Sequence, residues 1–212
     1  MFWRTKPYDR SELLAQGDQA RGRGQVRKAI KNYRAILAVD PGDVVVHGKL
    51  APLLARTKNQ RGEAMASFQL AAQGHQKAGF DERAIAVYIQ AAAVFPQQVD
   101  LWRQIAETQV RLGKRIDAVN TYVSGSSHLR DHKPMWPQAM MLLEAALVLA
   151  PRHVEASLGL AHLLGAQGRV GEGLALLEPL SQGLLGPPRR RVRWAMLKLS
   201  PTPRHLWRWI RG

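Results

Sequence analysis

At 212 residues, with no cysteine and a formal charge of +15, the chain has room for one or two globular domains or one continuous solenoid, and no means of building disulfides or thiolate metal sites. The opening Met1-Phe2-Trp3-Arg4-Thr5-Lys6-Pro7 lacks the apolar core of a signal peptide. The longest apolar run, Ala139 to Ala150, is broken by Glu144 and stops at Pro151, short of a bilayer span, so the expected setting is the cytoplasm. The charge is uneven. Residues 1–34 carry nine Lys/Arg and three acids, residues 35–186 fourteen and thirteen, and residues 187–212 eight and none. A near-neutral body with basic ends reads as a scaffold with adhesive termini rather than a uniform nucleic-acid surface.

After a basic arm at 1–8, the spacing predicts helices over 9–22 and 25–39, the first opened by Asp9 with Glu12 as a cap pattern and the two joined at Gly24. Asp40-Pro41-Gly42-Asp43 stops the second and offers Asp43 as the next N-cap. Helices follow over 43–57, 61–78 and 81–95. In the last of these, Ala84, Val87, Tyr88, Ala91 and Ala92 recur at i, i+3, i+4, i+7 and i+8, an apolar stripe. A second set runs over 98–112, 115–131 and 135–150, and a closing pair over 153–167 and 170–182. Gly79, Gly113 and Gly168 mark tight turns between helices. Val44-Val45-Val46 is the only β-branched run, and it opens a helical pattern.

The elements repeat. Pro41, Pro96 and Pro151 stand 55 residues apart, as do Val44, Val99 and Val154, and Ala51, Ala106 and Ala161. Ala29, Ile30, Tyr33, Ala38 and Val39 find the same residues at Ala84, Ile85, Tyr88, Ala93 and Val94. Ala64 and Phe68 match Ala118 and Tyr122 at a spacing of 54, one residue short at a turn. A period of this kind marks a stacked array, in which each unit buries its apolar face only against its neighbours.

Gly17, Ala29, Tyr33 and Pro41, then Ala84, Tyr88, Ala91 and Pro96, then Trp102, Ala106, Gly113, Ala118 and Tyr122 resemble the tetratricopeptide repeat over residues 9–182. The resemblance implies an all-α, right-handed α-α superhelix of about ten solenoid helices, with one or two short helices after it. The family unit is two helices in about 34 residues. The unit here is longer by one helix and a turn, so the helix at 61–78 serves as second helix of one repeat and first of the next. The resemblance also implies a concave ligand face lined by the first helix of each repeat. That face would present Lys49 and Arg56, then Arg103, Gln104, Glu107 and Arg111, with Arg56 and Arg111 in equivalent places. His47 and His162 fall on the same helices, as groove or packing residues. The Lys and Asn set that clamps a C-terminal carboxylate in some family members is missing, so a chaperone-tail ligand gains no support.

Signals for chemistry are sparse. There is no Gly-x-Ser-x-Gly elbow, phosphate loop or dinucleotide fingerprint. Arg21-Gly22-Arg23-Gly24 lies between two helices and reads as an inter-helix turn. His128 and His132 flank Asp131 at metal-ligand spacing, but no third ligand is near, and basic groups at a helix end account for them. The expectation is a non-enzymatic scaffold or adaptor with no cofactor and no metal, and with a protein or peptide partner.

From Pro187 the composition shifts. A tail over 187–212 holds helical segments at 188–199 and 203–211, with Thr202 as N-cap and Pro203 in the first turn. Its contact residues are read as Arg189, Arg190, Arg193, Arg204, Trp207, Arg208, Trp209 and Arg211. On the last segment Arg204, Arg208 and Arg211 make one stripe and Leu206, Trp209 and Ile210 the other. Three roles stand open: a cap on the array, an anchor on an anionic membrane surface, here its inner face, or a dock for an acidic protein or, nonspecifically, nucleic acid. Oligomeric state is left open.

Overall fold

The structure, a computed structural model, describes residues 8–210. The basic arm before Tyr8, with Trp3, and the final Arg211 lie outside the described residues. Two compact units divide the chain, one ending at Phe95 and the other beginning at Pro96, the second of the recurring prolines. Every described element is helical.

The first unit holds α1 (Arg10–Gly22), α2 (Val26–Leu37), α3 (Val44–Ala55), α4 (Arg61–Lys77) and α5 (Asp81–Val94). Asp9 and Asp43 cap α1 and α3 as the sequence predicts, their carboxylates accepting from the N–H of Glu12 and Val46 at 3.0 Å each. Gly24 and Gly79 turn the chain with φ of 72° and 77°, the left-handed region that side chains avoid. Gly17 has a different task. A Cβ there would sit 2.5 Å from Cε1 of Tyr33, so its bare backbone is what lets the Tyr33 ring approach α1 closely. The Tyr33 hydroxyl donates to Asp18 at 2.7 Å, and the Lys49 ammonium reaches the same carboxylate at 2.7 Å, tying α1, α2 and α3 at one point. Arg10 braces α1 to the start of α3 through Asp43 at 2.6 Å, and Arg34 forks onto Glu63 from α2 to α4. The middle helix α4 packs on α3 and on α5, the double role read from the enlarged repeat.

The second unit holds α6 (Val99–Arg111), α7 (Arg115–Leu129), α8 (Trp136–Leu149), α9 (Val154–Ala166), α10 (Val170–Gly183), α11 (Gly186–Leu199) and α12 (Pro203–Ile210), with a 3-10 turn at Lys133–Met135 before α8. Here α7 packs on both α6 and α8. Leu129, Leu142, Leu143 and Leu163 are fully buried in its main core. A smaller core joins Leu177 of α10 to Val192 and Met196 of α11. The first tail segment is thus a packed helix, seated on α9 and α10, and α12 in turn packs on α11. In both units neighbouring helices pair in the tetratricopeptide manner, small Ala on the buried stripe allowing close approach.

Candidate protein-binding face

The helices α3, α6 and α9 occupy equivalent places in the 55-residue repeat, and one stripe on each is the face that the resemblance assigns to ligand. On α6 the stripe is Arg103, Glu107, Val110 and Arg111, all exposed. Its charges are organised within the helix. Arg103 contacts Asp100 at 3.0 Å and Glu107 at 3.6 Å, and Arg111 donates to the Thr108 hydroxyl at 3.3 Å. Gln104 is half-buried beside them, its carbonyl accepting from Thr108. On α3 the corresponding residues are Gly48, Pro52, Ala55 and Arg56. Arg56 is exposed at the helix end, while the adjoining Lys49 is held by Asp18. Burial pushes the Asp18 carboxyl up, but the Lys49 and Tyr33 hydrogen bonds outweigh it and leave the group below its ordinary range.

On α9 the same places are Leu158, His162, Gly165 and Ala166, and there the face opens into a pocket of about 330 Å³. Ala161 and Val170 form its floor with Leu158, Ala195 and Leu199 of α11 close its far side, and His162 and Lys198 stand at its rim. Gly165 makes room for Leu199, whose Cδ2 lies 2.2 Å from where a Cβ would be. Sequence reasoning placed His162 on this face but missed the pocket. The signal that would have found it is the loss of charge at α9, where two Arg and one Glu of α6 become Ala, Leu and His.

Three other histidines have local partners. His47 is buried and donates from Nε2 to the Pro41 carbonyl at 2.9 Å. His128 stacks on Trp102 with ring centroids 5.3 Å apart, and His132 lies 2.8 Å from the Gln97 amide. Among the described residues no group of three His, Asp or Glu could hold a metal ion, and no helix is long and apolar enough to cross a membrane.

A family of bacterial proteins, the bacterial transcriptional activator domain, matches residues 6–139. The chain belongs to that family. Solved structures with similar folds include MamA protein (14% identity, 82% of this chain and 90% of that one, TM-score 0.37). A tetratricopeptide repeat protein from Parabacteroides merdae (14%, 94% and 88%, 0.33) and the TPR-like repeats of a Podosopora anserina putative kinesin light chain (16%, 96% and 93%, 0.41) are others. A comparison with curated proteins returns no match.

The family match covers α1 to α7 and ends just inside α8, so the pocket and the tail lie beyond it. In the tail the structure sorts the expected contact residues into two groups. Arg189 donates to the Ser181 carbonyl at 3.0 Å and Arg193 is buried, donating to the Arg208 carbonyl at 2.6 Å. Arg208 meets Glu178 at 3.0 Å and the Ser181 hydroxyl at 3.0 Å, and Trp209 packs against Trp194 with ring centroids 5.1 Å apart and planes tilted by 40°. Arg208 holds the Glu178 carboxyl below its usual range, and burial draws Arg193 down. Arg190, Arg204 and Trp207 are exposed. The expected division of α12 into an Arg stripe and a Leu206, Trp209 and Ile210 stripe is corrected here. Arg208 and Trp209 turn inward together, because Glu178 and Ser181 of α10 and Trp194 of α11 are waiting for them.

Proposed function

We propose that the chain is a non-catalytic adaptor that binds an extended segment of a partner protein on the α6 and α9 stripes of its second unit. The pocket at α9 supports the reading best. An apolar side chain of the partner would seat between Leu158 and Leu199, and Lys198 and His162 at the rim would receive carboxylates or backbone carbonyls. Arg103 and Arg111, with Gln104 and Glu107 between them, would take flanking acidic groups on α6, and Arg56 is the equivalent cation on α3. On the first unit α3 is a contact surface of its own, where Lys49 would contribute only by giving up Asp18. In keeping with the family's name, the setting we infer is bacterial transcriptional activation, with this chain contacting protein.

The test begins with peptides selected from a displayed random library on the full chain, then measured by fluorescence anisotropy. His162→Trp fills the pocket mouth from an exposed position, and Arg103→Glu with Arg111→Glu reverses the α6 charge. Selected peptides should carry an apolar anchor beside acidic residues. They should lose at least tenfold in affinity for the pocket variant and several-fold for the reversal. Equal binding to wild type and both variants removes the assignment.

A further inference from the structure

The last helix is mounted the wrong way round for a structural cap. An amphipathic helix at a protein surface ordinarily buries its apolar stripe and leaves its polar stripe in water. On α12 the side carrying His205, Arg208 and Trp209 faces inward, while Arg204 is exposed. Arg208 is fastened to Glu178 and Ser181, the Arg208 carbonyl accepts from buried Arg193, and His205 Nδ1 lies 2.8 Å from the Ser200 carbonyl. The outward side is Pro203, Leu206, Trp207 and Ile210, at i, i+3, i+4 and i+7. Leu206 is 46% exposed, Trp207 54% and Ile210 67%. Trp194 extends this surface on α11, 42% exposed, with the Lys198 ammonium 5.2 Å from its ring. Holding so much apolar side chain in water is costly, and three charge-assisted contacts keep it there.

We propose that this stripe is a docking surface for an anionic lipid bilayer. Three observations select a membrane over a protein groove. The helix has eight residues, about 12 Å of length. One indole and two aliphatic side chains on it cover far less than the roughly 800 Å² per partner of a stable protein interface. They do match the shallow insertion, about 5–10 Å into the headgroup boundary, of an interfacial helix, where Trp is favoured. The charge is also complementary to such a surface, since residues 187–212 hold eight Arg/Lys and no acid, with Arg190 and Arg204 exposed. Because the polar side is already bound to α10 and α11, the helix is pre-ordered and pays little entropy on insertion. The proposal shares only Lys198 with the α9 pocket, none of its test variants touches that pocket, and its failure leaves that reading untouched.

Flotation of the full chain with sonicated vesicles tests it, using phosphatidylcholine alone and phosphatidylcholine with 30% phosphatidylglycerol (a round working fraction, about one lipid in three). Wild type should partition at least tenfold more strongly to the anionic vesicles, and moderate salt should weaken but not abolish binding. Leu206→Ser with Ile210→Ser should lose tenfold or more on anionic vesicles at an unchanged melting temperature, since both side chains are exposed. Arg190→Glu with Arg204→Glu should bring anionic binding down towards the neutral level. Equal flotation of wild type and the serine variant overturns the proposal. So does binding to random duplex DNA that is as strong as vesicle binding and indifferent to the serine pair, which would mark the tail as a phosphate-binding surface.

Discussion

The helices α3–α5 and α6–α8 are two copies of one unit, and they keep its geometry while exchanging its residues. In the second copy the Trp102 indole donates to the Pro96 carbonyl at 2.9 Å. In the first copy, 55 residues earlier, His47 donates to the Pro41 carbonyl at the same distance. Each ring closes the turn before its helix by satisfying a carbonyl that the proline-ended helix leaves open. The rings differ in size, and so do the residues at the opposing position of the next helix. Trp102 lies on Gly125, where a Cβ would come within 2.6 Å of the indole. The counterpart of Gly125 is Ala71, buried and one methyl larger. In the third copy, Ser157 stands in the ring position and Leu180 in the opposing one, both buried. The first two copies preserve a hydrogen bond to the proline carbonyl; in the third the buried Ser157 hydroxyl has no hydrogen-bond partner among the described residues, and only the exchange of size across the pair continues.

Gly125→Ala is the sharpest way to break that comparison. The added methyl meets Trp102 Cγ and Cβ, at the root of the indole, and the Leu142 Cδ1 methyl, all within 3.0 Å. Overpacking of this kind costs about 1–3 kcal/mol, read as a lower urea midpoint for the full chain. Trp102→His in the same chain should recover most of the loss, because the smaller ring keeps the donor to Pro96. A double-mutant cycle should therefore show a coupling of about 1 kcal/mol or more. Coupling near zero would leave the size relation a coincidence of three positions.

Almost all of the backbone was legible. Helix limits agree within about two residues, the caps at Asp9, Asp43 and Thr202 are made, and Gly24, Gly79, Gly113 and Gly168 all turn with positive φ. Such features are local, and local chemistry writes them into neighbouring residues. What was not legible depends on distant partners. Lys49 reads as a groove cation until Asp18, 31 residues away, is seen to hold it. Arg208 reads as an outward charge until Glu178, 30 residues away, turns the helix over. The α9 pocket requires α11 to be folded against α9. Periodicity shows that a helix has two faces; it does not show which one meets the body when both find partners.

A second difference lies at the first-helix aspartate. In the first unit Asp18 binds Tyr33 and Lys49. The same relation to the tyrosine Tyr122 puts Glu107 in the corresponding place on α6, where Glu107 lies 3.6 Å from Arg103. Asp18 and Asp43 both sit below the ordinary carboxylate range despite burial, through Lys49 and Arg10 respectively. A depressed carboxylate contributes stability that is fully present above its unfolded value, near pH 4, and lost as pH falls through the folded value. Melting temperature should accordingly fall steeply from pH 4 toward pH 2, and less steeply in Asp18→Asn. At neutral pH that variant should cost about 1 kcal/mol, with the charge contribution reduced because the site is partly open to water. An unchanged acid slope would mean that Asp43 and the remaining carboxylates govern the acid limb.

The smallest expected effect tests whether the two copies share a device as well as a shape. Arg61, at the start of α4, donates to the Val94 carbonyl at the end of α5 at 3.0 Å. Arg115, at the start of α7, donates from Nε at 2.7 Å, and also from Nη2, to the Leu149 carbonyl at the end of α8. Each puts a cation at the negative end of a helix, an arrangement contributing about 0.3–1 kcal/mol and screened by salt. The copies differ in what supplements the charge. Arg61 also lies over the Phe95 ring at 4.7 Å, whereas Arg115 offers two donors to one carbonyl. Arg61→Lys should therefore be nearly silent, since an ammonium keeps both the ring contact and the charge. Arg115→Lys should lose part of the fork. Both alanine variants should melt slightly lower at low salt. At high salt the Arg115 deficit should shrink more, because an attraction to an aromatic face is less easily screened than one to an exposed carbonyl. If Arg115→Ala is silent at every salt concentration, carbonyl capping is not common to the two copies, and their likeness reduces to the ring-to-proline bond and the volume it balances.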